Sequence, residues 1–243
     1  MRATFAAHGE VLVVTGGARG IGAALATGYA DAGGSAIVLD VSPSPELEGV
    51  AGVTQQRVDV SDREAVLAAI DGVAERRGRV DALVAGAAVQ PRTTVAEMAA
   101  DEWRQTLAIN LDGVVWAVQA ALPHMCRARR GSILVFASGL AAAGRAEASA
   151  YAASKAALVP FAKSLAAEVA ADRVRVNVVF PGVIDTPQFR AANPDHERRH
   201  WERTTGIGRP EDVVGPLLFL LSDAATMTGS ILMRDRAFPK ETA

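Results

Sequence analysis

Short uncharged runs of aliphatic and β-branched residues recur along the chain. Between them lie longer stretches in which apolar positions return every three or four residues. Residues 11–15, 36–40, 55–60, 82–85, 133–137 and 174–180 read as strands. Runs that are apolar on both sides suit parallel strands covered by helices on both faces. The stretches near 21–32, 62–77, 102–127 and 150–171 read as helices. Ser61 and Glu64 have the spacing of a capping box ahead of the second one. Pro43 and Pro45 make 42–48 a loop and leave no room for a full helix between the second and third strands. Strand–helix alternation over the whole length implies right-handed βαβ units. The expected fold class is therefore α/β, a doubly wound parallel sheet of the Rossmann type, as one domain over 1–243 without repeat or linker.

Composition narrows the function. Half of the residues are apolar, enough for a substantial core, and the net charge of −2 lacks the excess of Lys and Arg that nucleic-acid binding needs. Cys126 is the only cysteine, which excludes an internal disulfide or a cysteine-cluster zinc site. His196 and His200 stand one helical turn apart but lack the HExxH context, so no metal site is expected. No uninterrupted apolar run reaches the ~18 residues of a membrane span, and no apolar core precedes Glu10 as in a signal peptide. A cytoplasmic protein without membrane partners is expected.

The chemistry gathers at strand ends. Thr15-Gly16-Gly17-Ala18-Arg19-Gly20-Ile21-Gly22 joins the first strand to the first helix. Glycines there permit a tight turn and close backbone approach, and the helix N-terminus offers free N–H groups to a pyrophosphate. Gly16, Arg19, Gly20, Ile21 and Gly22 are thus candidate dinucleotide contacts. Asp40 ends the next strand, 18 residues after Gly22. A carboxylate there accepts hydrogen bonds from both ribose hydroxyls and repels a 2′-phosphate, which favours NAD over NADP. Arg19 argues the other way but is free to face solvent. Tyr151 and Lys155 fall at i and i+4 on one helical face, with Ser138 13 residues before the tyrosine. A phenol near pKa 10 is a poor base, and an ammonium ~4 Å away in a medium of effective dielectric ~20 would favour its anion by ~4 kcal/mol.

These motifs resemble those of the single-domain short-chain dehydrogenase/reductase family, from Val11 to about Asp235. The resemblance implies an NAD-dependent oxidoreductase moving hydride between a secondary alcohol and its ketone. It also implies that Asp59 and Val60 contact adenine. Asn110 would hold a relay water, Ser138 the substrate oxygen, Tyr151 the transferred proton, and Lys155 the nicotinamide ribose. Ala87 would border the cofactor, and Pro181, Gly182, Ile184 and Thr186 would surround the nicotinamide. Substrate choice would reside in a lid at about 187–207. Three departures from the family pattern stand out. Ala85-Gly86-Ala87-Ala88 replaces Asn-Asn-Ala-Gly, Asp235-Arg236-Ala237 replaces a C-terminal Asp-Gly-Gly, and Pro160 lies inside the Tyr151 helix, where it should kink it.

Arg145, six residues before Tyr151, and Gln90, after the fourth strand, are candidate substrate contacts. Dihydrodihydroxybenzoate dehydrogenases resemble this chain in carrying an Arg at that place. A guanidinium there could hold a carboxylate on a cyclic alcohol such as a dihydrodiol. Apolar faces on the helices 102–127 and 150–171 imply a homo-oligomer, a dimer or a tetramer. A catalytically silent NAD-binding regulatory or scaffold protein would share the glycine loop. The complete set Asn110, Ser138, Tyr151 and Lys155 favours chemistry.

Overall fold

The first strand, β1 (Val11–Thr15), is wholly buried, as a run of five aliphatic and β-branched residues at the centre of a sheet must be. It opens an order of elements carried by a computed structural model that describes residues 4–237. Helix α1 (Gly20–Asp31) leads to β2 (Ser35–Asp40), and a single 3-10 turn at Pro45–Leu47 takes the place of a helix before β3 (Val53–Arg57). Then follow α2 (Arg63–Arg77), β4 (Ala82–Ala85), α3 (Ala100–Leu107), a π-turn (Ala108–Asp112) and α4 (Gly113–Ala128). After β5 (Gly131–Phe136) come α5 (Leu140–Ala143), α6 (Ser149–Val169) and β6 (Val174–Phe180). The chain ends with α7 (Pro187–Ala192), α8 (Asp195–Thr204), α9 (Val214–Leu221) and β7 (Ile231–Met233).

The seven strands are parallel, in the order β3-β2-β1-β4-β5-β6-β7. The doubly wound sheet is thus present as a single domain. Its order reverses between β1 and β4, and a ligand crevice opens there beyond the C-terminal strand ends. Strand residues divide alternately between two cores, as a two-residue period requires. Val13, Leu83, Ile133 and Val176 pack with α2, α4 and α6 on one face. Leu12, Val84, Leu134 and Val179 pack with α1 and α9 on the other.

Several local expectations are corrected. The capping box of Ser61 and Glu64 does not form. Asp62 is the N-cap, its carboxylate accepting from Ala65 N at 3.1 Å, and the Ser61 hydroxyl donates to Asp59 at 2.7 Å. An Asp one residue closer to the first turn outcompetes the serine. Pro160 does lie inside α6, which continues past it to Val169. Residues Ala100–Ala128 form one rod of 29 residues, long and apolar enough to cross a membrane by length and composition alone. The helix itself was expected at 102–127, and charged residues in its first half interrupt the apolar run. In the fold, its second half packs on α2, β4 and β5. The short elements α5, α7, α8 and β7 had no expectation of their own.

Candidate active site

The glycine loop turns sharply because of Gly16, whose φ is +68°. A Cβ there would stand 2.5 Å from the Ala87 Cα, so the close approach of the β1 and β4 loops admits only glycine. Thr15 makes up for the missing asparagine after β4. Its hydroxyl accepts from Gly86 N at 3.2 Å and Ala87 N at 3.4 Å, tying the loop to β1. Helix α1 then starts with no side-chain cap and no acidic residue in its first turn. An N-terminus left this way fits an anion. Arg19 is exposed, while Ile21 and Gly22 are half-buried in the first turn.

Asp40 lies against this loop, one carboxylate oxygen accepting from Ala18 N at 3.1 Å and the other from Ser42 N at 3.2 Å. Val60 is buried below, and Asp59 is exposed with its carboxylate engaged by Ser61 N at 2.9 Å. Ile184 is buried and bridges to Gly208, after the bend at Pro181 and Gly182. Thr186 caps α7, its hydroxyl accepting from Phe189 N at 3.1 Å. Its methyl group lies over the glycine loop, 2.8 Å from where a Cβ on Gly20 would stand. The altered C-terminal segment remains in contact with this region. Arg234 N donates to Phe180 O at 3.0 Å and Ala237 N to Thr205 O at 2.7 Å.

Ser138, Tyr151 and Lys155 come together where β5 ends and α6 begins. Tyr151 is buried in the first turn of α6, with Lys155 one turn on and 2% exposed. Burial raises the Tyr151 phenol above its usual pKa, and a hydrogen bond with Ser138 opposes that rise. The lowering expected from Lys155 is absent. The lysine Nζ donates instead to the Phe136 carbonyl at 2.8 Å, and burial brings its pKa down to about 8.

Asn110 is wholly buried in the π-turn. Its Oδ1 accepts from Val89 N at 2.8 Å, and its Nδ2 donates to Val89 O at 2.9 Å and to Ser154 Oγ at 3.0 Å. That side chain binds the β4 loop to α6. Ser154 completes the tie by donating to Tyr151 O at 2.7 Å. Sequence reasoning missed Ser154, although it sits inside the YxxxK segment.

Arg145, the candidate substrate contact, is paired within the protein. It donates to Asn193 Oδ1 at 2.8 Å and to Glu197. Arg92 was not anticipated and reaches the same Glu197 at 3.1 Å. Gln90 is half-buried in the loop that leads to Arg92.

The short chain dehydrogenase sequence profile matches residues 10–197. The chain is 37% identical to a cis-4-hydroxycyclohexanecarboxylate dehydrogenase of Sinomonas cyclohexanicum, covering 94% of this chain and 96% of that one. It is 33% identical to a 3-oxoacyl-(acyl-carrier-protein) reductase of Chlamydia pneumoniae, over 93% and 96% of the two chains. A short-chain type dehydrogenase/reductase from Mycobacterium marinum superposes with a TM-score of 0.88 at 30% identity, over 95% and 96% of the chains.

Proposed function

Since the chain belongs to the short-chain dehydrogenase/reductase family, whose members generally bind NAD(P), we propose that it is an NAD-dependent dehydrogenase of a cyclic secondary alcohol, acting in the EC 1.1.1 or 1.3.1 class. The observation that carries this reading is the buried Tyr151 phenol, hydrogen-bonded to Ser138 one helical turn from a buried lysine.

The residues present fit the dinucleotide. The uncapped N-terminus of α1 receives the pyrophosphate, and Asp40, already part of the loop, receives the adenosine ribose. When bound, the nicotinamide supplies the carbon that accepts or returns hydride. Tyr151 takes the proton of the alcohol during oxidation and returns it during reduction. Ser138 holds the substrate oxygen. Lys155 is charged below about pH 8 and is held by the Phe136 carbonyl, while the positive end of the 21-residue helix α6 favours the Tyr151 anion. Asn110 and Ser154 hold the three elements in register. The segment at about 187–207 acts as the substrate lid. A two-fold homo-oligomer accompanies this reading, supported by the apolar side chains that the edge strand β7 leaves exposed at Ile231, Leu232 and Met233.

The test is reduction of NAD⁺ at alkaline pH with cyclic secondary alcohols, cis-4-hydroxycyclohexanecarboxylate among them. Turnover with NAD⁺ above NADP⁺ is expected, with Asp40→Ala narrowing that preference. NADPH preference in the unaltered chain would overturn the assignment of Asp40. Tight NADH binding without turnover on any alcohol would overturn the enzymatic reading.

A further inference from the structure

Three segments leave the C-terminal ends of β4, β5 and β6, the ends where the crevice opens. A single polar cluster joins them. Arg92, from the β4 loop, donates to Ala192 O at 2.8 Å, to both oxygens of Glu197 at 3.1 and 3.3 Å, and to Glu147 at 2.8 Å. Arg145, from the β5 loop, donates to Asn193 and Glu197, and its guanidinium lies 5.9 Å from the centre of the Trp201 ring. Two guanidiniums from different loops thus converge on one carboxylate, carried by the lid.

A lid clasp alone does not account for the rest of the cluster. Arg92 Nε is buried without a hydrogen-bond partner. The other buried side-chain atoms in that condition among the described residues are Glu102 Oε1 and Ser149 Oγ. Both adjoin the same loops: the other Glu102 oxygen accepts from the Thr93 hydroxyl at 3.0 Å, and Ser149 lies between Glu147 and Tyr151. Glu147 itself is held in the left-handed region at φ +61° by the Thr93 N–H donating to its carbonyl at 3.0 Å. Unsatisfied buried polar atoms and a strained backbone are uncommon, and they gather where a ligand completes the site.

We propose that Arg92 and Arg145 form the binding site for a carboxylate on the substrate, and that Glu197 occupies this site in the ligand-free chain as an internal competitor. The proposal deepens the preceding reading and rests on it for the claim that the crevice takes a cyclic alcohol. The exchange is neutral in charge. One carboxylate enters the paired guanidinium forks, and another leaves for solvent. Outside, Glu197 gives up both guanidiniums but keeps its place in the first turn of α8, where the helix dipole favours an anion. Substrate binding and release of the lid elbow at Asn193 then become one event.

The test is calorimetric titration of the full chain, with and without NADH, using cyclohexanecarboxylate and cyclohexanecarboxamide. The acid should bind at least tenfold tighter than the amide. Glu197→Gln should tighten the acid at least fivefold and leave the amide unchanged. Arg145→Gln should weaken the acid to the level of the amide. Arg92→Lys, which keeps the charge and loses the fork, should weaken it too, each variant being checked for an unchanged melting profile. Equal affinity for acid and amide overturns the proposal, as does a Glu197→Gln variant that binds the acid no better. Alcohol oxidation is followed in parallel. Selective acid binding without turnover overturns only the enzymatic reading, whereas turnover of neutral alcohols with no preference for the acid overturns only this one.

Discussion

Replacing Lys155 by Met should leave the ligand-free chain about as stable at neutral pH and make its stability depend differently on alkali. The amine is 2% exposed, and burial is the sole cause that brings its pKa from 10.5 to about 8. At ~1.4 kcal/mol per pH unit, that gap amounts to roughly 3 kcal/mol of burial cost in the charged form. Below about pH 8 the amine is charged in both folded and unfolded chains, so the whole cost opposes folding. Between about 8 and 10.5 the folded chain gives up its proton first and the cost is relieved, so this group makes the protein more stable as pH rises. Against this, Lys155→Met loses the 2.8 Å hydrogen bond to Phe136 O, worth about 1.5–3 kcal/mol for a charged donor, and the two effects nearly cancel at pH 7. Urea unfolding of both proteins without cofactor, from pH 7 to 10, isolates the lysine because the other titrating groups are common to both. The unaltered chain should gain roughly 2–3 kcal/mol on the variant over that range. A difference that stays constant to within about 0.5 kcal/mol would refute the argument that this lysine is held charged at a cost to folding.

Tyr151→Phe should lower kcat by about 10²–10⁴ in any alcohol oxidation the chain performs, with NADH affinity little changed in a fluorescence titration. Gly16→Ala meets both a φ of +68° and an Ala87 Cα at 2.5 Å. It should cost about 3 kcal/mol, read as a fall in Tm of about 6–12 °C, with loss of NADH binding. Asp62→Ala removes the actual cap of α2 and should cost about 1 kcal/mol by urea unfolding, whereas Ser61→Ala should cost less than about half of that. The reverse order would restore the capping box as first read.

Local pattern was enough for the framework. Five consecutive uncharged residues before a glycine loop can only be a covered strand feeding a helix N-terminus, and the same logic placed Asp40, Ser138 and Tyr151 at strand ends or in the first turn of a helix. Residues four apart on a helix share a face, so the Tyr151 and Lys155 pair could be read directly. Strand edges drifted by two or three residues, as at β3, because the apolar run continues into buried Val58 and Val60 after the ladder has ended. The β7 edge strand, three residues long, carries too little periodicity to register.

What the sequence determined by itself was whatever depends on neighbours a few residues apart: the strand and helix alternation, the glycine turn and the face shared by the catalytic candidates. The tertiary structure decided how the polar groups are paired. Arg145 meets Glu197 across 52 positions, Arg92 meets it across 105, and Asn110 meets Ser154 across 44. Lys155 donates its hydrogen bond to a carbonyl 19 residues back, not to the tyrosine beside it on the helix. No periodicity encodes such contacts. They arise when separate loops converge over the same strand ends, where burial makes each charge and each hydrogen-bonding group take the partner that packing brings within reach.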